Sequence, residues 1–155
     1  MRARVIAIGT RMPPWVRSAC ADYLQRLRAG FPLELQEIET ASRRGGGAAR
    51  ALAREGERLL AALAPGDYVI ALDERGRQLT TQELARWLGF RRQQGEDLAF
   101  VLGGPDGLAP AVLARSNYTL ALSRLTLPHA LARVLLTEQL YRAHCILANH
   151  PYHRE

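Results

Sequence analysis

Side chains able to do chemistry crowd two stretches of this 155-residue sequence. The first, "NHPYHRE" at 149–155, sets His150, Tyr152, His153, Arg154 and Glu155 side by side. Imidazole titrates near neutrality, and a guanidinium forms forked bonds to anionic oxygens, so this set can move protons and hold a phosphate. The second, "LGGPDGL" at 102–108, offers a backbone that a ligand can approach closely, because Gly103 and Gly104 lack a Cβ. Pro105-Asp106-Gly107 is a turn signature, so an ordinary strand-to-helix turn remains open as a second reading. Neither the dinucleotide glycine spacing nor a Gly-Lys-Ser/Thr ending accompanies it, which argues against the common phosphate loops.

A third stretch, "LSRLTLPH" at 122–129, is too apolar for a loop facing water. It is either threaded through protein or lining an apolar pocket. Beyond it, Glu138 and Arg142 stand four apart on an expected helix, a spacing that predicts an exposed ion pair.

The elements that must position these residues alternate along the chain. "ARVIAIG" (3–9) reads as a buried strand, and Pro13-Pro14 opens a helical stretch. "PLELQEI" (32–38) alternates as a half-exposed strand does, and "TASRRGGG" (40–47) reads as a mobile loop. An Ala/Leu-rich helix is predicted over 48–64, and "DYVIALD" (67–73) is the next strand. Thr80 and Glu83 form a capping box for a helix reaching about Gln94. "LAFVL" (98–102), a short helix over 109–115, "YTLALS" (118–123) and a last helix over 129–147 complete the series. The 136, 140, 143 and 147 positions give that helix an apolar stripe. Strands joined by helical crossovers pair in parallel, so the fold class is α/β, a layered fold with a largely parallel sheet in one domain over 1–155. Ligands of such sheets sit outside the carboxyl ends of the strands. Those ends are "GT", "LDERG", "LGGPDG" and "LSRLTLPH"; the last three, from residue 72 onward, mark where the site is expected.

Composition bounds the function. Hydrophobic content of 48% and charged content of 23% suit an ordinary globular protein. No apolar run approaches the ~20 residues that span a bilayer, and Val5–Ile8 is too short for a signal-peptide core, so a cytoplasmic location is expected. Cys20 and Cys145 lack metal-ligand spacing and are expected to be reduced. Net charge is +6, and all 21 basic residues are arginine. Residues 1–50 hold nine Arg against four acids and residues 101–155 hold five against three, a balance that favours a polyanionic partner.

"IAIGTRMPPWV", "VLGGPDGL", "LSRLTLPH" and "EQLYRAHCILANHPYHRE" together resemble the SPOUT methyltransferases, over the whole of residues 1–155. The branch most similar methylates N3 of a pseudouridine in bacterial 23S rRNA. The resemblance implies a C-terminal trefoil knot, which makes "LSRLTLPH" threaded chain, and S-adenosylmethionine (SAM) bound in bent form within it. Carried over, the SAM contacts fall at Leu72, Gly103, Leu122, Ser123, Arg124, Leu125, Thr126 and Leu127; apolar side chains clasp the ring and Gly103 makes room. It implies a homodimer in which one subunit completes the other's site, giving Tyr141 and the last helix an interface role; the lack of a His/Cys/Asp ligand cluster in the sequence predicts no metal. The substrate implied is 23S rRNA in the assembled ribosome.

N3 of pseudouridine must lose a proton before or during attack, and a base near neutral pKa assists. His153, His129 and Glu138 are the candidates for that base, with Tyr152 and Arg154 orienting the nucleotide by stacking and phosphate contact. Two other readings stand beside this one: a SPOUT enzyme acting on another RNA such as tRNA, and a non-catalytic ribosome-binding protein.

Overall fold

A computed structural model describes residues 1–154; Glu155 and the side chains of His153 and Arg154 lie outside the described residues. In chain order the elements are β1 (Ala3–Ile8), α1 (Pro14–Leu27), β2 (Leu33–Ile38), α2 (Gly47–Ala62), β3 (Tyr68–Gln78), α3 (Thr81–Gln94), β4 (Leu98–Leu102), α4 (Pro110–Arg115), β5 (Tyr118–Ala121) and α5 (His129–Leu147), with a 3-10 turn at Pro151–Arg154. The strands form one sheet in the order β2-β1-β4-β3-β5, and every pairing is parallel.

Two faces follow from the two-residue repeat of a strand. Val5, Ile70 and Phe100 point toward α1, α3 and α5, where Leu27, Leu88, Leu136 and Leu140 meet them. Ile6, Val69 and Val101 point the other way and pack against Leu59 of α2 and Val112 of α4. Each such side chain contributes about 1.5–3 kcal/mol on burial, which fixes the register. Arg4 also falls on the α2 face, and there it cannot reach water. Its guanidinium donates to Asp67 at 2.6 Å and to the Ala62 carbonyl at 3.0 Å, which ties β1 to the end of α2.

Helix ends obey local rules. Thr80 accepts from the Glu83 amide at 3.1 Å and Glu83 reaches back to the Thr80 amide at 3.2 Å, the reciprocal pair expected from their spacing. Gly95, at φ +69°, closes the other end of α3.

Four expectations need correction. The strand expected over 67–73 runs on to Gln78, because residues 73–76 bulge out of register and the chain then pairs again with β5. The segment 40–47 is tethered rather than a free loop: Ala41 is buried, and Arg43 bonds the buried carboxylate of Glu55 and Asp106. The Glu138–Arg142 ion pair exists, at 2.8 Å, but α1 and the 3-10 turn cover it, so its side chains are only 14% and 20% exposed. Tyr141 is buried within its own chain, 6.0 Å from Tyr23 and 4.6 Å from Tyr152 between ring centres.

One buried cation joins the two ends of the chain. Arg133 of α5, 2% exposed, pairs with Glu37 of β2 and donates to the carbonyls of Ile8 (3.3 Å) and Gly9 (3.0 Å), just where β1 stops. Gly9 makes that turn at φ +118°, a conformation open chiefly to glycine.

Candidate active site

The carboxyl ends of β3, β4 and β5 lie side by side, and beyond them opens a cleft of about 830 Å³. Three segments wall it. The β3 bulge supplies Asp73, Glu74 and Arg75; the turn after β4 supplies Gly103 to Leu108; the chain after β5 supplies Leu122, Ser123, Leu125, Thr126 and Leu127. His129 and Ala132 at the start of α5 close the floor. This volume lies within the range for small-molecule sites, whose walls combine apolar side chains with a few placed polar groups. Leu125 stands 75% exposed at the cleft, an apolar surface that a ligand would cover.

The glycine turn is shaped by its own backbone. Gly107 donates to the Gly104 carbonyl at 3.1 Å and takes φ +78°. A Cβ built on Gly103 would collide with the carbonyl of Gly107. Gly103 thus leaves room for the closure of its own turn, and it lines the cleft as well. Thr126 donates to Glu74 at 2.9 Å, joining the segment after β5 to the bulge. Arg75, 3.0 Å from Asp73, holds the Asp73 carboxyl below its ordinary range.

Of the residues expected to hold a cofactor, Leu72, Gly103, Leu122, Ser123, Leu125, Thr126 and Leu127 are brought together in the cleft wall; Arg124 is not among the lining residues. The candidates for acceptor chemistry are scattered. His129 lines the cleft, and burial, reinforced by the nearby Arg133 charge, pushes its pKa below the ordinary value. Glu138 lies nine residues further along α5, about 13 Å down the helix axis. There it accepts from Arg142 and Gln139 at 2.8 Å each and from the Tyr152 hydroxyl at 3.3 Å. Tyr152 folds back onto this group, and burial drives its pKa upward. The side chains of His153 and Arg154, expected as base and phosphate contact, lie outside the described residues. Within one chain, then, the tail's aromatic anchor packs beside Glu138 and not beside the cleft.

The strand-end rule marks "LDERG" and "LGGPDG" as the region, but sequence reasoning gave Asp73, Glu74, Arg75 and Pro105 to Leu108 no individual role, and they line the cleft. The signal was present: "DERG" breaks an apolar strand with a run of charge, and Gly76 sits where a Cβ would strike the Thr119 backbone at 2.7 Å. Among the described residues no group of three or more His, Cys, Asp or Glu is placed to hold a metal, and no helix is long and apolar enough to cross a membrane. Cys20 and Cys145 are free and buried.

Residues 1–153 match the family described as predicted SPOUT methyltransferase. The chain is 50% identical to the ribosomal RNA large subunit methyltransferase H of Thiobacillus denitrificans over 156 residues, covering all of both chains. It is 53% identical to the protein of the same name from Bordetella pertussis, with 99% of each covered. Among solved structures, a probable methyltransferase from Bordetella pertussis Tohama I aligns with TM-score 0.56 at 20% identity, over 92% of this chain and 95% of that one. A probable methylase family protein from Haemophilus influenzae gives TM-score 0.56 at 17% identity, over 97% and 69%. These two likenesses concern the fold.

Proposed function

The chain belongs to the SPOUT methyltransferase family, and on that premise we propose that it methylates N3 of a pseudouridine in 23S rRNA, with SAM as donor and the assembled ribosome as substrate. The observation that carries the reading is the cleft at the carboxyl ends of β3, β4 and β5, walled by the glycine turn and the apolar chain after β5. Relatives alike over their whole length are ribosomal RNA large subunit methyltransferases, which supports RNA as the acceptor. A cytoplasmic location and a trefoil knot around "LSRLTLPH" belong to the same proposal.

SAM, when bound, supplies an electrophilic methyl group on a sulfonium. The residues that would hold it are Leu72, Gly103, Leu122, Ser123, Leu125, Thr126 and Leu127, which line the cleft, with Arg124 carried only by the family resemblance. The exposed leucine and the closely approachable turn fit such a ligand. What the chain itself contributes is alignment and a proton acceptor. His129 is favoured for the second role by its place in the cleft and by the burial that pushes its pKa below the ordinary histidine value. Glu138 is less suited, since Arg142, Gln139 and Tyr152 already occupy its oxygens.

The distance between the cleft and the tail supports a homodimer. Tyr152, seated beside Glu138, does not line its own cleft, which favours an acceptor side completed by a second copy. His153, Arg154 and Tyr152 would then act on the neighbour's cleft, with His153 as the alternative base.

The test uses 70S ribosomes from a strain lacking this modification, incubated with the protein and methyl-labelled SAM. Mass spectrometry is expected to find one methyl group on a 23S pseudouridine. Label in tRNA alone, or none in any RNA, overturns the assignment. Sedimentation should accompany it, since an active 17.2 kDa species would refute the dimer.

A further inference from the structure

Helix α2 carries Arg50, Arg54 and Arg58 at every fourth position, which sets all three on one flank. Each is exposed, as is Arg44 in the turn before the helix. None of the four pairs with a carboxylate among the described residues, whereas Arg2, Arg4, Arg43, Arg91, Arg133 and Arg142 all do. Arg58 donates to the Glu39 carbonyl at 2.8 Å and Arg50 to that of Gly45 at 3.5 Å, contacts that leave the charge uncompensated. Arg54 makes no hydrogen bond among the described residues. The exposed acids nearby are Glu39 and Glu57. The rest of the helix is committed inward: Ala51, Glu55 and Leu59 are buried, and Gly56 lies against Ala109, which precedes α4, and Val112 within it.

The stripe is joined to the cleft. Arg43, one residue before Arg44, is held between Glu55 and Asp106 at 2.9 Å from the latter, and Asp106 is part of the cleft wall. The free arginines therefore begin one residue from a direct contact with the candidate active site. Along α2 they recur about every 6 Å, comparable to the separation of successive phosphates on a nucleic-acid strand.

We propose that this flank of α2, from Arg44 to Arg58, is the surface on which the sugar–phosphate backbone of the substrate RNA docks. Arg43 serves it as a positioning residue, fixing the stripe to the wall of the cleft. The inference rests on the RNA reading above and adds to it the face of the molecule that meets the strand. An RNA partner is favoured over an acidic protein because the stripe is linear and its spacing suits a repeating charge.

The test compares the triple variant Arg50→Gln, Arg54→Gln, Arg58→Gln with the pair Arg28→Gln, Arg86→Gln, exposed arginines of the opposite layer. Binding to unmethylated 70S ribosomes is read by cosedimentation from about 50 to 200 mM KCl, where phosphate contacts dominate the salt response. The α2 variant should lose about 0.7–0.9 from the log–log salt slope per arginine removed, and the control nothing. SAM affinity and melting temperature should hold in both. Equal slopes for the triple variant and wild type overturn the proposal, as does the same loss per arginine in the control. If the triple variant does not fold, Arg54→Gln alone decides, and an unchanged slope sinks the proposal. Methyl transfer is measured in parallel: wild-type protein that binds through α2 but transfers no methyl group refutes the enzymatic reading, not the surface.

Discussion

Replacing Gly103 by alanine adds one methyl group at the tightest point of the cleft wall. Its Cβ would overlap the carbonyl of Gly107, far inside the 3.0 Å that real Cβ atoms keep from a neighbour, and backbone cannot rotate away as a side chain does. The two limbs of the turn must part by roughly 1 Å, and misplacement on that scale costs on the order of 100-fold in a positioned reaction. Gly103 to Leu108 form a continuous wall of the cleft, so the displacement enters the ligand site directly. Calorimetric titration with SAM should show affinity falling about 10- to 100-fold, or ~1.4–2.8 kcal/mol. Thermal unfolding should show a loss of about 1–3 kcal/mol, the range for forcing a group into packed structure. Gly104→Ala is the comparison, because its Cβ meets Ile8 Cγ2 at 2.9 Å, a shallower overlap and with a side chain rather than the backbone. It should lose less on both measures. Wild-type affinity and melting in Gly103→Ala would refute the collision. Lost stability with full SAM affinity would show instead that the turn is no part of the cofactor wall.

Asp67→Ala should destabilise the fold by about 3–5 kcal/mol in urea titration, since it strands the buried Arg4 guanidinium. A cost under 1 kcal/mol would mean that water reaches that site. Deleting Tyr152 to Glu155 should abolish methyl transfer while SAM affinity stays at wild type, and full turnover would show the tail to be dispensable. The same deletion should cost about 0.5–1.5 kcal/mol, because Tyr152 packs on Tyr141 at 4.6 Å. Burial holds His129 and His144 below the ordinary histidine value, so the unfolded chain binds protons first as pH falls. Stability should be flat above about pH 6.5 and decline below it. The double variant His129→Gln, His144→Gln should flatten that decline, and an unchanged profile would assign it to other groups.

Period and punctuation made the layers legible in sequence. "ARVIAIG" and "LAFVL" could only be buried strands, and Thr80 with Glu83 announced the start of α3 from three residues of spacing. Local sequence stops where long-range partners begin. Nothing near Asp73 states that the strand resumes after a four-residue bulge, because the pairing that restores it comes from β5. The spacing of Glu138 and Arg142 gives their bond, but their cover is supplied by Tyr152 and by α1. Likewise nothing near Arg4 in sequence names its partner, Asp67, which stands 63 positions later. At the cleft, the strand-end rule found the region, and the resemblance to a family selected residues within it. That rule points to the charged bulge as a strand end, but singles out none of its residues, because charge after a strand usually means only solvent.

Arg133 bears on the order in which the chain can assemble. The carbonyls of Ile8 and Gly9 accept its hydrogen bonds across 125 and 124 positions, so the first strand leaves translation with its end unfinished. Contacts of such separation carry a high loop-closure cost and slow the search for the native state. During synthesis β1 and β2 can pair early, but β1 also needs β4 along its other edge. The turn at Gly9 then waits for α5, made almost last. A nascent chain ending before residue 133 should thus remain incompletely locked, with the Gly9 turn open to proteolysis until the final helix emerges.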